Sequence, residues 1–223
     1  MIKVILFDLD DTLISEDDYI QSGYKHVARV IAKEFGFVEQ QVKNQLYALY
    51  QNDVKNVFNR FLENKGITYD LSFVKYLVEV YRNHIPDIGF LDDVEETLNA
   101  LKKQEIKIGI ISDGYLVTQH NKAKVLQLYD KVDKVIFTDE LGKEFWKPCS
   151  KAFEIMKDYF QVDYDEMMYV GDNPQKDFYI KKVLPIKTVR ICRKNAIYQN
   201  VEYLENIKED IQINDLTDLL DFL

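Results

Sequence analysis

The run Val4-Ile5-Leu6-Phe7 is apolar, rich in β-branched and aromatic residues, and gives way at once to Asp8 and Asp10. A short apolar run of this kind predicts a strand buried on both faces. Such a strand belongs to a parallel α/β sheet, whose ligands bind beyond the carboxyl ends of its strands. The crevice there receives two carboxylates at i and i+2 and the hydroxyl of Thr12. Close carboxylates repel and lose solvation unless a cation lies between them. Mg²⁺ suits this position, because it takes oxygen ligands and keeps part of its water. One carboxylate can then attack a phosphoryl group and form an aspartyl-phosphate. A polar turn after an edge strand, with Asp11 and Thr12 as turn formers, accounts for the motif equally well.

Beyond this strand the periodicity becomes helical. Apolar residues at helical spacing (Tyr24, Val27, Ala28, Val30, Ile31, Phe35) predict a helix over 20–35 that ends near Gly36. Further helices are predicted over 40–50, 54–64 and 71–83. Alternation then resumes, with helices at 93–104, 117–128, 150–160 and 174–183. The interleaved strands are 106–111, 134–137, 167–170, 187–192 and an edge strand at 211–213. A closing helix is predicted over 215–222, with Asn214 as N-cap. Alternating strands and helices imply right-handed crossovers and a doubly wound, Rossmann-like parallel sheet. The expected organisation is an α/β core of residues 1–15 and 87–223, with a helical cap domain of residues 16–86 inserted in it.

Three more predicted strands end in chemistry-bearing residues. The strand at 106–111 ends in Ser112-Asp113-Gly114, a hydroxyl and a glycine turn whose N–H groups can cradle phosphate. An ordinary helix N-cap is the plain alternative. After the strand at 134–137 come Lys147 and Pro148, and Pro148 is expected in the first turn of the next helix. Lys147 is then poised to span a phosphate oxygen and a carboxylate, or else is a solvated surface lysine. The strand at 167–170 leads to Gly171-Asp172 and, five residues on, Asp177. Asp172 would complete an oxygen-rich Mg²⁺ site with Asp8; helix capping by Asp172 and a dipole contact by Asp177 are the alternative. Each plain reading stands alone. Together they require four strands to end by accident in one complementary set.

The charge of −9 lacks the basic footprint of a nucleic-acid binder. Cys149 and Cys192 have no metal-ligand spacing and read as free thiols of a reducing compartment. There is no signal-peptide layout and no apolar run of membrane-spanning length. The expectation is a cytoplasmic protein without membrane or nucleic-acid partners.

The ordered set Asp8-x-Asp10-x-Thr12, Ser112, Lys147-Pro148 and Gly171-Asp172 with Asp177 resembles the four motifs of the haloacid dehalogenase-like superfamily, mostly phosphatases. The helical insert after the first motif resembles the cap of that family, so the likeness covers nearly the whole chain. The resemblance implies that Asp8 is the nucleophile and Asp10 the general acid and base. It implies Mg²⁺ held by Asp8, the Asp10 backbone carbonyl and Asp172, with Asp177 acting mostly through water. Thr12, Ser112, the N–H groups near Asp113 and Gly114, and Lys147 would hold the phosphoryl oxygens. Asp113 stands where the family often has Asn, so its extra charge must point away from phosphate. Phe178-Tyr179-Ile180 lacks the small residues common after the last acidic motif.

Asp10 and Asp172 favour phosphoryl chemistry over dehalogenation, which lacks the second acid and the metal. The implied activity is hydrolysis of a small phosphomonoester (sugar phosphate, nucleotide or phosphorylated organic acid) by a monomer or homodimer. A phosphomutase of the same superfamily, or a non-catalytic module binding a phospho-ligand, keeps the same core motifs. Substrate choice would rest with the cap, where Tyr19, Gly36-Phe37-Val38-Glu39, Asn56 and Arg60 are candidates.

Overall fold

Strand β1 (Val4–Phe7) is fully buried and pairs in parallel with two neighbours, β2 (Lys107–Ser112) and β4 (Met167–Gly171). The computed structural model describes residues 1–194 and 196–223. β3 (Lys134–Phe137), β5 (Lys187–Ile191) and β6 (Ile211–Ile213) complete a six-stranded parallel sheet in the order β3-β2-β1-β4-β5-β6. The order reverses direction at β1, so the carboxyl ends of β2, β1 and β4 lie side by side at the crevice where such sheets bind ligands.

Strand alternation divides the core between the two faces of this sheet. Ile5, Phe7, Ile108, Ile110, Met168 and Val170 pack with α5 (Val94–Lys103) and α6 (Leu116–Val125). Val4, Leu6, Ile111, Met167 and Tyr169 pack with α8 (Lys151–Phe160) and α9 (Ile180–Val183). Gly109 is needed for that second layer, because a Cβ there would lie 2.6 Å from Leu6 and 3.2 Å from Met156. Between β1 and α5 the chain forms α1 (Glu16–Phe35), α2 (Glu39–Asn52), α3 (Val57–Asn64) and α4 (Leu71–Asn83).

The chain divides into two compact units, one of Met1–Glu16 with Ile88–Leu223 and one of Asp17–Asp87. In the helical unit, Tyr24 meets Tyr50, Phe58 and Tyr81 in ring contacts. Gly23 gives the Tyr81 ring its space, since a Cβ there would lie 2.4 Å from it. Arg60 donates to the carbonyls of Leu49, Asp53 and Lys55 and so ties the α2–α3 turn together.

Several local expectations are corrected. The stretch 174–183 is helical only over Ile180–Val183. Asn173 Oδ1 accepts from the Gln175 N–H, Asp177 Oδ2 from the Asn173 N–H, and the Lys176 and Asp177 N–H groups return to the Asn173 carbonyl, so the chain runs as turns up to Ile180. The segment 117–128 breaks at Gln127, which has φ +49°, and continues as α7 (Leu128–Lys131). Pro148 precedes the N-cap of α8, Ser150, rather than entering its first turn. The closing element, Leu216–Phe222, is a 3₁₀ helix capped by Asp215, not by Asn214.

Candidate active site

β1 delivers Asp8 to the sheet's carboxyl edge, where the Asp8 N–H donates to the Val170 carbonyl at 2.8 Å. Lys147 arrives from the segment after β3 and is 5% exposed. Its ammonium meets Asp8 Oδ1 at 2.8 Å, Asp177 Oδ1 at 2.9 Å and the Tyr169 hydroxyl at 2.9 Å. Three donors therefore meet three acceptors. Tyr169, wholly buried on β4, donates in turn to Asp177 Oδ1 at 2.8 Å. With Oδ2 accepting from the Asn173 N–H, both oxygens of Asp177 are engaged by the protein. Gly171 makes this possible, because a Cβ there would lie 2.5 Å from Asp177 Oδ2.

Asp172, at the end of β4, is the contrast. It is 4% exposed, and its Oδ2 is buried without a hydrogen-bond partner. Asp8, Asp172 and Asp177 each bring an oxygen into a cluster whose atoms lie within 4.8 Å of one another. Three carboxylates and one ammonium leave two negative charges in a buried place if all are ionised. Burial raises the Asp8 carboxyl to about 7, against the opposing pull of Lys147. Burial, then Asp177 and Asp8, push Asp172 well above the usual carboxylate range. Lys147 is held well above its ordinary value, because Asp177 and Asp8 outweigh the effect of its burial. The orphaned oxygen, the all-oxygen donor set and the charge deficit fit a hard divalent cation such as Mg²⁺.

Asp10 faces other partners. Its Oδ1 takes the Lys122 ammonium at 2.6 Å and its Oδ2 the Gln119 amide at 3.2 Å. Gln119 Nε2 also meets Ser112 Oγ at 2.6 Å and the Asp113 carbonyl at 3.0 Å. The Asp113 carboxylate takes Thr138 Oγ1 at 2.7 Å, the Lys147 N–H at 3.0 Å and Lys176 at 3.2 Å. Although burial works against it, the charges of Lys147 and Lys176 hold this carboxyl below its ordinary value. The charge of Asp113 is thus matched within the turn. Gly114 has φ +133° and would crowd Gln119 at 3.2 Å if it carried a Cβ. Thr12 is fully buried; its carbonyl takes Arg193 at 2.7 Å, and its Oγ1 has no partner.

The structure therefore groups Asp8, Lys147, Asp172 and Asp177 in one cluster and Asp10, Ser112 and Asp113 around Gln119. Sequence reasoning missed Tyr169, Gln119, Lys122, Lys176 and Arg193. A tyrosine inside a strand buried on both faces is a usable signal, because its hydroxyl must find a partner there.

The raised carboxyls predict the pH dependence of the metal-free protein. A carboxyl at 3.8 in the unfolded chain and about 7 in the folded one keeps its proton longer when folded. Its contribution is most favourable below about 4 and is lost as pH rises to about 7, at roughly 1.4 kcal/mol for each pH unit between those values. Glu16, raised to about 8 by burial and then by Asp10, acts in the same direction. The metal-free melting temperature should fall from pH 5 to pH 8, while Mg²⁺ should stabilise progressively more over that range. Thermal unfolding with chelator or Mg²⁺ checks this; a metal-free protein that gains stability across the range contradicts it.

Residues 5–191 match the haloacid dehalogenase-like hydrolase family. The chain is 29% identical over 242 residues to the glyceraldehyde 3-phosphate phosphatase of Methanocaldococcus jannaschii, covering 100% of this chain and 97% of that protein. It is 28% identical over 229 residues to the pyrophosphatase PpaX of Bacillus mycoides, again covering 100% and 97%. Its fold is similar to that of a solved HAD phosphatase from Thermococcus onnurineus, with a TM-score of 0.64, 23% identity and coverage of 99% and 97%. With the strand-end carboxylates, the buried lysine and the parallel sheet in place, the match over residues 5–191 places this chain in the haloacid dehalogenase-like hydrolase family.

Proposed function

We propose that this protein is a Mg²⁺-dependent phosphatase that hydrolyses a small phosphomonoester through an aspartyl-phosphate on Asp8. The observation that carries the reading is the pairing of Asp8 with Lys147 at 2.8 Å beside the partnerless Oδ2 of Asp172. Asp8 has a cation on one oxygen and a cation-deficient acidic cluster around it, the setting for an anionic nucleophile that must meet an anionic substrate. The named phosphatase relatives support the same class of reaction.

In this reading Asp8 attacks phosphorus in line, the bond from phosphorus to the ester oxygen breaks, and Asp10 gives that oxygen its proton. Asp10 then takes a proton from the water that attacks the aspartyl-phosphate, which releases inorganic phosphate and restores the Asp8 carboxylate. Ser112, the backbone at Asp113 and Gly114, and Lys147 hold the phosphoryl oxygens as charge shifts. Asp8, the Asp10 carbonyl and Asp172 would hold Mg²⁺ directly. Asp177, its oxygens engaged by Lys147, Tyr169 and Asn173, would orient the site and act through water. The metal's part is to offset the repulsion between the nucleophile and the phosphate dianion. Residues 16–86 would serve as the cap that reads the leaving group.

The test is phosphate release from triose and other sugar phosphates, nucleotides, short phosphorylated acids and pyrophosphate, with and without Mg²⁺. Metal-dependent release from at least one small phosphomonoester is expected. Isomerisation outrunning phosphate release would instead make the protein a mutase, and binding without turnover across the panel a non-catalytic module. Among the described residues no helix is long and apolar enough to cross a membrane.

A further inference from the structure

α6 turns an unusual face inward. A helix against a sheet ordinarily buries apolar residues, yet α6 buries Thr118, Gln119, Lys122 and Ala123. Gln119 and Lys122 lie one turn apart on the same face, 0% and 3% exposed. A lysine is seldom buried this deeply without a partner that requires it. One partner of Lys122 is Asp10, the second aspartate after β1, with Nζ at 2.6 Å from Oδ1.

Gln119 joins this aspartate to the phosphate cradle. Its side-chain nitrogen meets Asp10 Oδ2, Ser112 Oγ and the Asp113 carbonyl. The carboxylate and the carbonyl can only accept, so this terminus of the amide must be its nitrogen. The amide has two hydrogens for these three acceptors, so Asp10, Ser112 Oγ and the Asp113 carbonyl share them. The Ser112 hydroxyl donates to the Asp113 carbonyl at 3.5 Å, a long bond that it can exchange for one to a phosphoryl oxygen. Neither residue belongs to the four strand-end motifs, and nothing in the sequence alone marks either as part of the site.

We propose that Gln119 and Lys122 are positioning residues that fix the Asp10 carboxylate between two donors and link it to the Ser112 hydroxyl, so that acid–base chemistry and phosphate binding share one frame. The proposal rests on the phosphatase reading above. Within that frame Lys122 meets Asp10, on the proton-transfer side, whereas Gln119 meets groups on both sides. Loss of Lys122 should therefore lower kcat with little change in KM, and loss of Gln119 should change both. The step most exposed is hydrolysis of the aspartyl-phosphate, where Asp10 must take a proton from water whatever the leaving group was.

p-Nitrophenyl phosphate isolates that step, because nitrophenolate departs without needing a proton. With the full chain and Mg²⁺, Lys122→Met should lower kcat by about 10- to 100-fold, the range for losing a residue that orients a reacting group. KM should stay within about threefold, a rapid burst of nitrophenol should appear in proportion to enzyme, and fluoroberyllate should still trap Asp8. Lys122→Arg should recover most of kcat. Gln119→Leu should lower kcat and raise KM, and it carries the test if Lys122→Met fails to fold. If the wild type turns over but Lys122→Met matches it, or loses fluoroberyllate trapping together with kcat, the positioning role is wrong and the phosphatase reading stands. If the wild type hydrolyses nothing in the panel, the phosphatase reading itself falls and this role falls with it.

Discussion

Asp8→Asn should abolish phosphatase turnover, lowering kcat by about three orders of magnitude or more, while the protein remains folded. Asparagine keeps the shape of the side chain but cannot form the aspartyl-phosphate, and loss of a covalent nucleophile has effects of this size. The same variant should lose fluoroberyllate trapping. Its stability separates a chemical cause from a structural one. Burial disfavours the Asp8 charge even beside Lys147, so a neutral amide relieves a cost in the metal-free protein. Lys147 keeps Asp177 and Tyr169 as partners. Metal-free Asp8→Asn should therefore melt at or above the wild-type temperature at pH 8. Near-normal turnover in this variant would sink the covalent mechanism, whatever its stability.

The parts of this fold that are legible in the sequence follow from burial. β1, β2 and β4 are covered on both faces, so they read as short, mainly apolar runs, whereas β5 buries Thr188 and Arg190 among its apolar residues. The groups on their carboxyl ends, Asp8, Ser112 and Asp172, can be placed without knowing what surrounds them. The failures arise where a side chain from elsewhere replaces a local backbone partner. The N–H of Leu116 that opens α6 donates to Asp139 Oδ2 from the turn after β3, so the predicted caps at Ser112 or Asp113 are not the ones used. Asp177 Oδ2 accepts from the Asn173 N–H, and regular helix begins only at Ile180. Lys122 and Asp10 lie 112 residues apart in sequence, and helical spacing alone gives no reason to pair them. The same limit applies to Arg60. It stands out in the sequence as a polar candidate for reading substrate, but its guanidinium is committed to three backbone carbonyls of its own turn.

The buried lysine makes the strongest prediction about stability. Lys147→Met should destabilise the metal-free protein by about 3–5 kcal/mol at pH 8, the usual range for removing one partner of a buried ion pair. For a chain of this length that corresponds to a drop in melting temperature on the order of 10 °C. Methionine fills much of the same volume, so lost packing is a minor part of the change. What is lost is the one ammonium shared by Asp8 and Asp177, with Asp172 close by and already short of a partner. The penalty should shrink towards pH 5, because a carboxyl that binds a proton no longer needs the lysine. It should shrink again on adding Mg²⁺ at pH 8, because a divalent cation among the same carboxylates supplies the missing positive charge. Activity should not return with stability. A metal among the carboxylates cannot replace an ammonium that holds a phosphoryl oxygen while restraining Asp8, so kcat should stay depressed at saturating Mg²⁺. Unfolding curves at pH 5 and 8, with chelator and with Mg²⁺, measure each of these differences directly. Equal melting temperatures for Lys147→Met and wild type at pH 8 without metal would mean that Asp8 and Asp177 do not depend on Lys147 for their charge. A loss of stability that neither acid nor Mg²⁺ relieves would mean that Lys147 serves packing and not the charge balance of the site.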